Sequence, residues 1–357
     1  MDRSTWVEVD VSALKHNFGL VSEHAGVPVC AVVKANGYGH DLLIAARAFA
    51  PQAAMLGVAR IEEARALRVA GIDARIFIMA PVPDVQEAVS LDCEISVGSA
   101  EQIASLPSGA RAHLIADTGM GRLGLQVTEV PDAAKAIASR ATLASVWTHF
   151  AEAAEALGRE QLKRFEGLVH AMRTVGITAP VHASNSAGLI ALPGARFDMV
   201  RVGTLLYGLN PPGVTPPWTP RDPFTWNARV IAVRTIPAGS TVGYGAEWQA
   251  KNPTRVATLP VGYVDGFMLE PAARSESARE SARLVARVVA RAAGVKESPR
   301  AVFFGERRAP VVGRVGMQLV TVDVSGMPDI QEGSIARVPG RRLLVDPSIE
   351  RVTIGDG

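Results

Sequence analysis

The chain has 357 residues, 48% of them hydrophobic, with 37 Lys and Arg against 35 Asp and Glu. That length fits about two domains, and that apolar content excludes a disordered chain. The net charge of +2 offers no electrostatic footprint for nucleic acid, the two cysteines (Cys30 and Cys93) are too few for a disulfide framework, and no run of about 18 apolar residues provides a membrane span. The start, Met1 to Trp6, lacks an apolar signal core, so a cytoplasmic setting is expected.

Trp6 to Asp10 alternates like a strand and could pair with either region that follows. Eight short apolar, β-branched runs come next: Val29 to Val33, Ala54 to Val58, Arg75 to Met79, Glu94 to Val97, Ala112 to Ala116, Leu143 to Thr148, Val181 to Ser184 and Met199 to Val202. Helical spacing fills several gaps between them. Asp41 to Ala46 is one such stretch, Ile61 to Leu67 (stopped by Gly71) another. Gln161 to Val175 is a third, with Leu162, Phe165, Leu168 and Val169 on one face. Strands that are apolar throughout suit a parallel sheet covered on both faces. Eight βα units predict a (β/α)8 TIM-like barrel; an open doubly wound sheet is the alternative, since counting does not show closure.

The texture changes after about residue 210. Asn210-Pro211-Pro212-Gly213 and Pro216-Pro217 read as a linker. Beyond it Ala228 to Val233, Ala309 to Val312, Leu319 to Val324 and Ser334 to Val338 read as antiparallel strands separated by turns. The expected division is a barrel over 10–224 and a mostly antiparallel β domain over 225–357, joined by the N-terminal strand 1–9. Ser275 to Arg291 predicts a helix with Arg279, Arg283, Arg287 and Arg291 on one stripe and Leu284, Val285, Val288 and Val289 opposite. Its plain reading is a solvated surface face; anion or partner binding is the alternative.

Lys34 ends the first run, in Ala31-Val32-Val33-Lys34-Ala35-Asn36-Gly37-Tyr38-Gly39-His40. A lysine at the C-terminal end of a barrel strand points into the mouth where such folds keep their active sites. If burial lowers its basicity, its amine can condense with an aldehyde. The plain alternative is a strand-end lysine reaching solvent. Asp117, His149, Asn185 and Arg201 also sit at or just past strand ends, so a barrel would gather them on the same rim.

The string around Lys34 resembles the signature of the alanine racemases, pyridoxal 5'-phosphate enzymes built from a barrel and a β domain. Six further blocks resemble the family in order. They are Asp117 to Gly124, Thr148 to Ala151, His182 to Ala187, Val200 to Gly203 with Leu206 to Gly208, Leu259 to Gly266, and Gly313 to Met317. The resemblance implies that Lys34 holds the cofactor and that Lys34 and Tyr263 act as two bases on the substrate Cα. It implies a homodimer, with Tyr263 contributed by the partner subunit. Arg201 would face the pyridine nitrogen with His149 beside it. Asn185 would adjoin the cofactor, and Tyr38, Ser186, Gly203 and Thr204 would surround its phosphate. Arg122 and the backbone N–H of Met317 would bind the carboxylate of a small amino acid. The implied reaction interconverts L-alanine and D-alanine for peptidoglycan precursors and needs no metal. A racemase for another amino acid such as serine, or a non-catalytic cofactor-binding homologue, is the alternative. A decarboxylase on the same scaffold would be expected to carry a C-terminal cysteine, and none follows Cys93.

Three departures from the family pattern stand out. Ile115 occupies the place where many members carry a lysine that is carbamylated and orients the neighbouring arginine. Isoleucine cannot do this, so another group is expected to position Arg122. Gln318 follows Met317 where the family usually has aspartate. A further phosphate-binding tyrosine of the family's C-terminal segment has no counterpart here. The basic segment 275–291 lies between Tyr263 and Met317 and is expected to be an insertion that reshapes access or the dimer contact.

Overall fold

A computed structural model of the protein describes residues 3–269, 282 and 300–355. The basic helix expected over 275–291 lies, but for Ala282, outside the described residues. The chain divides into two compact units, Asp10–Pro223 with Thr353–Gly357, and Met1–Val9 with Phe224–Val352. Strand β1 (Thr5–Asp10) opens the chain and pairs within the second unit.

The first unit is a barrel. Its strands are β2 (Val29–Val32), β3 (Met55–Val58), β4 (Ile76–Ile78), β5 (Cys93–Val97) and β6 (Arg111–Asp117). The short β7 (Leu125–Gln126) lies beside β6, and β8 (Thr142–Trp147), β9 (Val181–His182) and β10 (Val200–Val202) follow. The order is β10-β2-β3-β4-β5-β6-β8-β9, parallel at every pairing. Two backbone bonds close the last seam, from Arg201 N–H to Ser184 O (2.9 Å) and from Asp198 N–H to Val181 O (3.1 Å). The open sheet is thereby excluded. Every residue of β2 to β5 is buried, which explains why the runs read as continuously apolar. Cys30, Met55, Phe77, Ile115 and Trp147 fill one core cluster.

Helices occupy the expected gaps at Leu42–Phe49, Ile61–Val69 and Ala156–Thr174. The helix Val11–Ala25 was not read from the sequence, though its signals are present. The Asp10 carboxylate caps Ala13 N–H at 2.9 Å, Gly26 closes the helix at φ +62°, and Val11, Leu14, Phe18, Val21 and Ala25 form the buried stripe.

The second unit holds two antiparallel sheets. Its strands are β11 (Phe224–Arg229), β12 (Ala232–Ile236), β13 (Thr254–Leu259), β14 (Ala301–Phe304), β15 (Arg307–Pro310), β16 (Val320–Asp323), β17 (Ile335–Arg337) and β18 (Arg351–Ile354). One sheet runs β15-β14-β17-β11-β1-β18 and the other β12-β13-β16. The single strand expected over Ala228 to Val233 is in fact two. Val230 N–H bonds Ser334 O beside the first sheet, and Ile231 N–H bonds Thr258 O of the second, so the chain changes sheets between neighbouring residues. Among the described residues no helix is long and apolar enough to cross a membrane.

Phe77 is fully buried, edge-on to Trp147 with ring centroids 5.7 Å apart. Truncation leaves a void that close-packed strands cannot fill. Phe77→Ala is expected to lower stability by about 3–5 kcal/mol in urea denaturation; a loss under about 1 kcal/mol would contradict the packing described.

Candidate active site

Lys34 follows β2 and starts an unusual turn. Ala35, Asn36, Gly37 and Tyr38 have φ of 55°, 53°, 59° and 53°, a left-handed turn of mostly non-glycine residues. Such backbone costs roughly 1–2 kcal/mol per residue with a Cβ, so it persists only where neighbours determine it. They do so here through several hydrogen bonds. Ala35 N–H donates to Glu63 Oε1 (2.7 Å), whose other oxygen accepts from Ala59 and Arg60 N–H (2.8 and 3.1 Å). Leu42 N–H donates to Asn36 Oδ1 (2.9 Å), and the His40 ring donates from Nδ1 to the Gly37 and Tyr38 carbonyls (3.0 and 3.1 Å). The turn turns Lys34 and Tyr38 onto one cavity. Burial lowers the Lys34 amine below its usual value; Arg122 and Arg201 lower it further, and Glu63 opposes them. Reduced basicity favours the neutral, nucleophilic form of an amine.

All eight residues predicted to bind the cofactor line that cavity of about 170 Å³: Lys34, Tyr38, His149, Asn185, Ser186, Arg201, Gly203 and Thr204. The Tyr38 ring stacks on Tyr207 with centroids 4.7 Å apart, and its phenol is hydrogen-bonded to Thr204. A Cβ at Gly203 would collide with the Tyr38 hydroxyl, so only glycine permits that approach. Gly203 N–H donates to Ser186 Oγ at 3.2 Å. Asn185 caps the helix Ser186–Ala191 through Gly188 N–H (2.9 Å) and donates to Phe150 O (3.2 Å), with its amide 3.4 Å from His149 Nε2.

Arg201 is 2% exposed. Its Nη2 donates to the carbonyls of Thr148 (2.7 Å) and Ala183 (3.1 Å) and lies 3.4 Å from His149 Nδ1. Nη1 donates to His182 Nδ1 at 2.5 Å, and the guanidinium lies 4.5 Å from the Trp147 ring centroid. Among the described residues its buried Nε has no hydrogen-bond partner. Burial lowers Arg201 to about 10, which leaves it charged near neutrality. Burial, with Arg201, Arg122 and Lys34, pushes His149 down to about 3, so its ring is neutral.

Arg122 lines a neighbouring cavity of about 310 Å³ with Lys34, Ile115, Met120, Leu123 and Trp147. Its loop is organised by Asp117, whose Oδ1 accepts N–H groups from Gly119 (2.9 Å), Met120 (2.9 Å) and Gly121 (3.1 Å). Gly124 has φ +111°, and a Cβ there would lie 2.9 Å from Asp117 N. Ile115 is buried in the barrel core and makes no polar contact. Ile115 therefore offers no polar group toward Arg122, whose loop is held by Asp117 instead.

Tyr263 and Met317 belong to the second unit and share a cavity of about 870 Å³ with Tyr244, Arg314 and Gln318. Their loops are joined by backbone bonds, Tyr263 N–H to Gly316 O and Val264 N–H to Met317 O, both 3.1 Å. A Cβ at Gly262 would collide with the Met317 carbonyl, so glycine permits this contact. Tyr263 is 43% exposed and Met317 63%. Glu63, Tyr207 and His182 act around the site without having been assigned roles from the sequence. Glu63 carried no capping-box signal, since the cap residue three positions before it is Arg60, whose side chain cannot accept.

Comparison with known proteins covers both units. Residues 9–211 match the family described as alanine racemase, N-terminal domain, and residues 223–353 the alanine racemase, C-terminal domain. The chain is 34% identical over 351 residues to a Desulfovibrio desulfuricans protein named alanine racemase, spanning 93% of this chain and 88% of that one. It is 35% identical over 358 residues to the protein of that name from Symbiobacterium thermophilum, spanning 95% and 88%. The crystal structure of alanine racemase from Streptomyces lavendulae superposes with a TM-score of 0.82 at 27% identity, covering 99% of this chain and 98% of that one. That from Bacillus anthracis with bound L-Ala-P gives 0.80 at 26% identity, covering 100% and 96%.

Removing the Asp117 carboxylate leaves three loop N–H groups without their acceptor. Asp117→Ala is expected to lower stability by about 1 kcal/mol in urea titration. Unchanged stability with an unchanged loop would remove Asp117 as its organiser.

Proposed function

The chain belongs to the alanine racemase family, and from that premise we propose that it interconverts L-alanine and D-alanine with pyridoxal 5'-phosphate. We further infer that it works as a cytoplasmic homodimer that supplies D-alanine for peptidoglycan precursors. The observation that carries the reading is one cavity lined by Lys34, buried Arg201 (its Nε without a hydrogen-bond partner among the described residues) and the hydroxyl-bearing Tyr38, Ser186 and Thr204.

The residues fit the cofactor group by group. Lys34, its basicity lowered, suits the aldehyde. Arg201 Nε–H suits an uncharged ring nitrogen as acceptor. The three hydroxyls, with Tyr38 admitted close to Gly203 by its missing Cβ, suit a phosphate. Bound there, the cofactor would act as an electron sink that makes the substrate Cα proton acidic.

The protein's own groups then carry the rest. Inverting Cα requires a proton removed on one face and returned on the other, so two bases are needed: the Lys34 amine and the Tyr263 phenol. Arg201 stays protonated and can offer its partner a hydrogen bond but not a full proton. That restrains electron withdrawal and favours return of the proton to Cα. Neutral His149 presents Nδ1 as an acceptor to Arg201 without adding charge. Arg122 and the Met317 N–H bind the substrate carboxylate. A dimer in which Tyr263 comes from the other subunit is supported by the exposure of Tyr263, Met317, Leu319 and Tyr244 around one large cleft.

Chiral chromatography of L-alanine, D-alanine and L-serine incubations tests the activity. Lys34→Ala is expected to abolish turnover and the borohydride-fixed attachment of the cofactor. Tyr263→Phe is expected to retain cofactor and slow both directions by roughly 10²-fold or more; unchanged rates would remove it as a base. Gly203→Ala is expected to weaken cofactor binding by displacing Tyr38, read by spectroscopic titration. Wild-type protein that leaves both alanine enantiomers unchanged would overturn the reading.

A further inference from the structure

A line of buried polar side chains crosses the barrel interior from Arg201 to Glu94. Arg201 Nη1 meets His182 Nδ1 at 2.5 Å, and His182 Nε2 meets Ser145 Oγ at 2.7 Å. Ser145 Oγ meets His113 Nδ1 at 2.6 Å, and His113 Nε2 meets Glu94 Oε2 at 2.9 Å. None of the five is more than 2% exposed. The residues come from β10, β9, β8, β6 and β5, and Glu94 stands near the N-terminal end of its strand, at the end of the barrel away from Lys34. There Arg75 grips both carboxylate oxygens from Nε (2.7 Å) and Nη2 (3.0 Å), with Arg111 Nε at 3.9 Å.

The chemistry of the donors fixes the direction of every bond. A guanidinium only donates, so His182 Nδ1 accepts and the ring proton sits on Nε2. That N–H donates to Ser145 Oγ, which leaves the serine hydrogen for His113 Nδ1. His113 then carries its proton on Nε2 and donates to Glu94, which as a carboxylate only accepts. All four bonds point from Arg201 toward Glu94. Both histidines are neutral in this arrangement, in keeping with the lowering of each by burial. Phe77 packs against both rings and Trp147 stacks on His182, so apolar walls enclose the line. With the opposite tautomer, His182 would aim an N–H at the N–H groups of Arg201, and two donors would face each other. Among the described residues no carboxylate forms an ion pair with Arg201. A buried guanidinium in that position is costly unless its field is answered elsewhere, and Glu94 answers it through four hydrogen bonds.

We propose that Glu94 is a positioning residue for the reaction: through His113 and Ser145 it locks the tautomer of His182, which holds the Arg201 guanidinium so that Nε–H faces the cofactor ring nitrogen. The role rests on the racemase reading; the tautomers do not. A carboxamide at position 94 can turn either its oxygen or its NH₂ toward His113, so it no longer dictates where the protons lie. Loss of the serine hydroxyl interrupts the line without changing charge.

The test is nitrogen NMR of the holoenzyme with ¹⁵N-labelled histidine, on wild type, Glu94→Gln and Ser145→Ala. Wild type is expected to show His113 and His182 both protonated on Nε2 with Nδ1 accepting. Both variants are expected to show mixed tautomers at His182, an altered cofactor absorbance spectrum, and a kcat lowered roughly tenfold with KM for alanine little changed, as for outer partners of other site histidines. Wild-type His182 protonated on Nδ1 overturns the proposal, even if neither variant folds. So do folded variants that keep the wild-type tautomer and cofactor spectrum. Failure of the racemase reading looks different: the wild-type protein then holds no cofactor whatever its tautomers, and Glu94 loses its role in the reaction.

Discussion

A guanidinium buried in a barrel of parallel strands is the constraint around which this molecule is arranged. Arg201 sits on β10, its charge surrounded by two carbonyls, two neutral histidines and the face of Trp147. Such a charge is tolerated only when its donors are satisfied, and both terminal nitrogens of the guanidinium have partners of that kind. Among the described residues, Nε has no hydrogen-bond partner. On the proposed function, that N–H would face an acceptor that stays unprotonated, the ring nitrogen of the cofactor.

The second constraint is backbone geometry held against its own preference. The left-handed turn from Ala35 to Tyr38 persists because Glu63, Asn36 and His40 bond it from three sides. It delivers an amine and a phenol to the same cavity from a segment of five residues. Gly203 allows the phenol to approach, and Tyr207 supports its ring from below. Rigid placement of this kind suits a reaction in which small displacements of a base carry a large cost in rate.

The barrel was legible because its strands are buried on both sides and so read as unbroken apolar runs; Val29 to Val33 and Arg75 to Met79 needed no more than that. The β domain was less so. Arg307-Arg308-Ala309-Pro310 has two exposed arginines on an edge strand, and the change of sheet at Val230 leaves no mark in a run that stays apolar throughout. The helix Val11–Ala25 has a cap, a stop and a buried stripe, all three legible in the sequence. The site residues stood out through the family resemblance, and the meeting of Lys34, His149, Asn185 and Arg201 on one cavity follows from strand ends sharing a rim. Glu94, His113 and Ser145 were hidden inside strand patterns. Their signal was a polar side chain at an inward position of an apolar barrel strand, which means little until neighbouring strands bring such positions together.

The claim on which the account turns is that Arg201 donates a hydrogen bond to the cofactor ring nitrogen without protonating it. Nitrogen NMR of the holoenzyme loaded with ring-¹⁵N pyridoxal 5'-phosphate measures this directly. The account predicts a signal of an unprotonated, hydrogen-bonded pyridine nitrogen that moves when Arg201 is replaced by lysine. A pyridinium signal in the wild-type enzyme, or one indifferent to that replacement, would contradict it.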